Sequence, residues 1–131
     1  MIVDVETEHG VYSVELETEE VTALVEDARL PPERPLDTGL PRVVATAAAG
    51  STVVAVVDRR PPLVVSYDAG RTWRETGGGL PRGSAVAVSH EHPDVVVYAA
   101  RNRLFLSRDG GRFWRALAPE FPEIKAVAFQ T

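Results

Sequence analysis

A chain of 131 residues with 44% hydrophobic and 25% charged side chains has the size and composition of one globular domain, which excludes wholesale disorder. Its net charge of −5 leaves no basic footprint for nucleic acid, and the absence of cysteine removes disulfides and thiolate metal sites. No apolar run nears bilayer-spanning length, and the start, Met1-Ile2-Val3-Asp4-Val5-Glu6, lacks the basic and apolar regions of a secretory leader; the expectation is a cytoplasmic protein with no membrane partner, cofactor or metal.

Val- and Ala-rich runs bounded by Gly, Pro and Asp predict strands throughout, and no long segment keeps a helical period. Residues 2–25 lie without a gap on a later segment: Gly10-Val11-Tyr12-Ser13 falls on Arg103-Leu104-Phe105-Leu106, and Thr22-Ala23-Leu24-Val25 on Arg115-Ala116-Leu117-Ala118. They predict strands B, C and D of a four-stranded unit whose A strand is missing. Residues 26–41, with Pro31-Pro32-Glu33-Arg34-Pro35, hold too little apolar surface to fold alone and predict an inserted loop. Two complete units follow, at 42–77 and 83–118. Each opens after Gly-Leu-Pro-Arg (39–42 and 79–82) with an A strand (43–47; 85–89), then a turn, a B strand (52–57; 95–99) and a C strand (63–65; 104–106). A polar octapeptide and a short D strand close each unit. A last proline, Pro122, precedes a spare A strand at 124–129, which completes the unit begun at 2–25.

The octapeptides are Ser66-Tyr67-Asp68-Ala69-Gly70-Arg71-Thr72-Trp73 and Ser107-Arg108-Asp109-Gly110-Gly111-Arg112-Phe113-Trp114, 41 residues apart. That period is the length of one β-propeller blade. In such a turn Asp accepts backbone N–H bonds, Gly supplies positive φ, and Trp caps with a large apolar face, so Ser66, Asp68, Gly70, Thr72, Trp73, Ser107, Asp109, Gly111 and Trp114 are predicted as structural pins. The pattern S-x-D-x-G-x-T-W resembles the Asp-box, or BNR repeat, of sialidases, sortilin-type receptors, xyloglucan hydrolases and photosystem-assembly propellers. The phrase His92-Pro93-Asp94-Val95-Val96-Val97-Tyr98-Ala99 is similar to the turn and B strand before the box in the last two. The resemblance implies an all-β chain of three four-stranded propeller blades (2–25 plus 124–129, 42–77, 83–118). It does not fix an activity, because enzymes and non-enzymes share the box.

Propellers carry four or more blades. Three blades, each burying both faces, would leave two faces bare, so the sequence predicts a homodimer: two half-rings head to tail, six blades, each terminal strand exchanged into the partner's first blade.

Ligands of such rings sit on the face of the B–C and D–A loops. Here these carry Arg34, Arg42, Arg59, Arg60, Arg82, Arg101 and Arg103, with His9 beside them, a set suited to a carboxylate or phosphate. Asp58, Glu8, Glu33, Asp37, Glu120 and Glu123 lie in or beside the same loops and equally describe a mixed-charge rim. His90 and His92 have no third ligand in register, and Glu15, Glu17, Glu19 and Glu20 read as solvated hairpin charge. Resemblance to sialidases implies a Tyr–Glu nucleophile pair in a loop, but Tyr12 and Tyr98 fall in strands and Tyr67 in an octapeptide. No catalytic residue is assigned. The expected function is a non-catalytic binding or assembly module for a protein or small anion, the alternative being a glycan-active propeller, lectin or hydrolase; Phe121 is the one aromatic in a face loop.

Overall fold

The computed structural model describes residues 1–130 and, among them, is built of strands alone. In chain order these are β1 (Ile2–Thr7), β2 (Gly10–Glu15), β3 (Glu20–Glu26), β4 (Val43–Ala49), β5 (Thr52–Val57), β6 (Leu63–Ser66), β7 (Arg74–Thr76), β8 (Ala85–Val88), β9 (Val96–Ala100), β10 (Arg103–Ser107), β11 (Arg115–Glu120) and β12 (Ala126–Phe129). They form three four-stranded antiparallel sheets, each a meander of the kind that makes a propeller blade: β12-β1-β2-β3, β4-β5-β6-β7 and β8-β9-β10-β11. The first sheet takes its missing strand from the C-terminal segment.

The sheets do not stand in chain order. Val3, Val5, Val14 and Leu16 of the first sheet share a core with Val97, Leu104, Leu117 and Ile124, whereas Val54, Val56, Leu63 and Val65 of the second share one with Val86, Val96 and Tyr98. The third sheet is therefore the middle one. The spatial order is second, third, first, and β8 packs against both β4 and β12, so the first strands of all three sheets line a common axis.

This order bears on the predicted seam. β12 pairs with β1 of its own chain, Val3 opposite Phe129 and Val5 opposite Val127, so completing the first sheet requires no strand exchanged with a second copy. The reason lies in residues 27–42, which fully extended would reach about 50 Å. They let the chain leave the first sheet at one end of the row and enter the second at the other. The path is anchored twice: the Leu30 N–H donates to Glu6 Oε1 (2.7 Å), and the Leu36 N–H to the Thr46 hydroxyl (2.7 Å). Between these points the Pro-rich strap passes over the inner strands, and beyond them Leu40 packs with Val43 and Trp73 against Ala55, Val57 and Val64.

The two outward faces are accordingly less bare than three stacked blades predict. In β1 burial alternates strictly: Val3, Val5 and Thr7 face the third sheet, while Asp4 and Glu6 point away. There the Ser13 hydroxyl donates to Asp4 Oδ1 (3.0 Å), as does Gln130 Nε2 (2.8 Å). Across the row, residues 53–57 of β5 are buried on both faces, the outward one covered by Leu40, Val43 and Trp73. A bulge between Ser13 and Val14 also moves the β2–β3 register, so Leu24 rather than Ala23 stands opposite Tyr12.

Candidate functional site

The octapeptide turns consume their own polar groups. Asp68 Oδ1 accepts from the Ser66 hydroxyl (2.7 Å) and the N–H groups of Arg71 (3.1 Å) and Thr72 (2.9 Å), and Oδ2 from the Thr72 hydroxyl (2.6 Å). The Thr72 hydroxyl first, then its N–H and the Ser66 hydroxyl, hold the Asp68 carboxyl well below the usual carboxylate range. The second turn repeats this through Asp109 Oδ1, which receives Ser107 (2.8 Å), Arg112 (3.1 Å) and Phe113 (3.0 Å). Its carboxyl is also lowered, chiefly by the Phe113 N–H. Gly70 and Gly111 sit at φ of 90° and 93°, where their N–H groups reach the Ser66 and Ser107 hydroxyls. Trp114 Nε1 donates to the Gly111 carbonyl (2.9 Å) and to Thr76 (3.2 Å) of the neighbouring sheet. The second turn thus joins two sheets, and both oxygens of Asp68 and Oδ1 of Asp109 are engaged within the turns.

Neighbouring groups are structural as well. The Tyr67 hydroxyl donates to the Gly110 carbonyl (2.7 Å) with Arg112 4.7 Å above its ring, and Tyr12 meets Phe121 edge-on. Burial pushes the Tyr98 phenol up to about 12 while its hydroxyl donates to the Pro81 carbonyl (2.7 Å). Two members of the acidic stretch have fixed partners, which corrects the reading of simple solvated charge. Glu19 takes Arg115 (2.8 Å) and the Ala118 N–H (2.8 Å), and both lower its carboxyl, docking the first sheet on the third. The Glu17 N–H and then the terminal ammonium lower that of Glu15. His92 lies in the β8–β9 turn, its N–H on the Ser89 hydroxyl, and the described residues contain no group of three metal-ligating side chains.

The seven arginines of the candidate face divide. Arg59 pairs with Glu75 (2.6 Å), Arg82 reaches Asp58 (3.5 Å) of the adjacent sheet, and Arg103 Nε donates to the Leu117 carbonyl. Arg42 and Arg101 adopt positive φ, and their carbonyls accept from Asp58 and Ile124; Arg60 is exposed in the β5–β6 loop. Arg34 lines a cavity.

That cavity, of about 420 Å³, lies on the axis at the leading ends of the inner strands. Its floor is Val44, Ala45, Ala85, Val86 and residues 126–128, and its wall is the strap with Arg29, Pro31, Pro32, Glu33, Arg34 and Pro35. Leu30, Glu6, Thr46, Ser84 and Lys125 complete the lining. A volume between roughly 300 and 1,000 Å³ is usual for small-molecule sites. Arg29 and Lys125 were not legible as site residues, since only the fold carries the strap over the strand ends; the one signal is that Lys125 is the chain's single lysine.

The sequence matches no protein-family model and no curated protein. Among solved structures it is similar to a GH74 enzyme of Niastella koreensis, with 27% identity and a TM-score of 0.44. The match covers 54% of this chain and 11% of that one, so the matched stretch spans about a tenth of the enzyme's length.

Proposed function

We propose that this chain is a non-catalytic module of Asp-box-type propeller blades that binds a small anion, or an acidic group on a protein, at the end of the sheets bearing the β5–β6, β7–β8, β9–β10 and β11–β12 loops. The supporting observation is the axial cavity at that end, with Arg29, Arg34 and Lys125 in its lining, while the octapeptide carboxylates and all three tyrosines are engaged elsewhere. A panel of organic and inorganic anions is expected to raise the melting temperature saturably, as ligands of the native state do, with no turnover of chromogenic glycosides. Glycoside turnover, or no response to any anion, overturns the reading.

Assembly belongs to the same proposal. Two half-rings meeting by their outward faces would make six blades and would cover Val25 (60% exposed). Light scattering is expected to give a two-chain mass; a stable single-chain mass at micromolar concentration overturns this part.

One feature favours the glycan alternative. Phe113 is 79% exposed, beside Arg108 and Asp109 in a depression of about 300 Å³, and an open aromatic face next to polar groups suits sugar stacking. Saturable sugar binding lost in Phe113→Ala would establish it, and a glycan array without binding would remove it.

A further inference from the structure

We propose that the cavity beneath the Pro-rich strap binds a monoanionic organic carboxylate with a compact apolar body, a ligand class that rests on the anion-binding reading above and narrows it. The apolar half of the site comes from the fold. Val and Ala side chains at the leading ends of β4, β8 and β12 form the floor, and Pro31, Pro32 and Pro35 present apolar rings without N–H groups from above.

The charged half is cationic by one. Arg29, Arg34 and Lys125 line the cavity, and none of them enters an ion pair among the described residues; the Nη1 of Arg29 donates to the Ala28 carbonyl. Of the two acids present, Glu6 already receives the Leu30 N–H, and Glu33 lies on the strap. Three cations against two carboxylates match a single negative charge, in a chain whose net charge is −5. A phosphate, at about −1.5 to −2 near pH 7, would meet the acids unfavourably and leave its remaining oxygens against Ala and Val without donors. A neutral apolar molecule would desolvate the cations with nothing in return. A carboxylate avoids both costs, because its head takes the Arg34 fork and the Lys125 ammonium while its body covers the floor.

The test is calorimetric titration of the full chain with hexanoate, hexanamide and inorganic phosphate. It uses the native protein, the cavity variant Arg34→Gln/Lys125→Gln and a loop variant outside the cavity lining, Arg59→Gln/Arg101→Gln, with melting curves to verify folding. Hexanoate is expected to bind the native protein at least about ten-fold more tightly than hexanamide or phosphate, the worth of one charge-assisted contact. The cavity variant should lose that preference and the loop variant keep it. Trypsin cleavage after Arg29 should also slow when hexanoate is bound, which reads strap occupancy without any substitution. Equal affinity for hexanoate and hexanamide overturns the proposal. Anion binding lost in the loop variant but kept in the cavity variant overturns it while sparing the broader module reading, and binding of no anion by the native protein overturns both.

Discussion

Asp68 and Asp109 occupy the same place in two turns and differ in one bond. Thr72 gives Asp68 Oδ2 a hydroxyl, whereas its counterpart Phe113 has none to give and stands in solvent. Both carboxyls titrate below their unfolded values, so their stabilisation is complete above the unfolded pKa of about 4 and is lost as pH falls toward the folded ones. Scanning calorimetry should show the melting temperature declining from about pH 5 downward. Asp68→Asn should flatten this dependence more than Asp109→Asn, because Asp68 carries the additional hydroxyl. Phe113→Thr should restore the missing bond and raise stability by about 0.5 kcal/mol, the low end for a hydrogen bond because the site is open to water; urea denaturation measures it. The turn itself was legible in the sequence, since Ser, Asp, Gly and Trp act within eight residues. The engagement of Glu19 was not, because its partner Arg115 is remote in sequence and belongs to another sheet.

Among the elements, the strands were readable from composition and period, but the partner of β12 was not, since a spare strand looks the same whether it completes its own sheet or another copy's. Residues 2–7 did hold a clue: Val3, Val5 and Thr7 alternate with Asp4 and Glu6, the pattern of a strand with one buried face, where strands stacked on both sides read as continuous Val and Ala. The seam can be tested cleanly in a chain without cysteine. The Gln130 N–H bonds the Ile2 carbonyl, which by alternation makes Val5 and Val127 a non-hydrogen-bonded pair, with Cα atoms about 4.5 Å apart and side chains close. Val5→Cys/Val127→Cys should therefore oxidise to a cross-link within one chain on a non-reducing gel. A ladder of covalent dimers would instead establish exchange between copies. The strap escaped sequence reading for a different reason: a Pro-rich loop announces only that it does not fold alone, and its role depends on Glu6 and Thr46 holding its two anchor points.

At the scale of the molecule, the row of sheets begins with residues 43–76, continues through 85–120 and ends with residues from both chain termini. The sheet built first during synthesis is thus the last that can be finished, because β1 waits for β12 through nearly the whole chain. Such long-range pairing slows folding. The Gln130 N–H lies 2.9 Å from the Ile2 carbonyl, so the ends are near neighbours. A circular permutant, with these ends joined by a short glycine linker and the backbone opened in the strap, would make the order of synthesis the order in space. Each sheet could then be completed from its own stretch of chain. Stopped-flow refolding should show the permutant folding faster than the parent at similar strand content, and an unchanged rate would mean that the β1–β12 pairing is not the limiting step. The same cut would unroof the axial cavity, so a faster-folding chain should also be one that has lost the anion binding proposed for it.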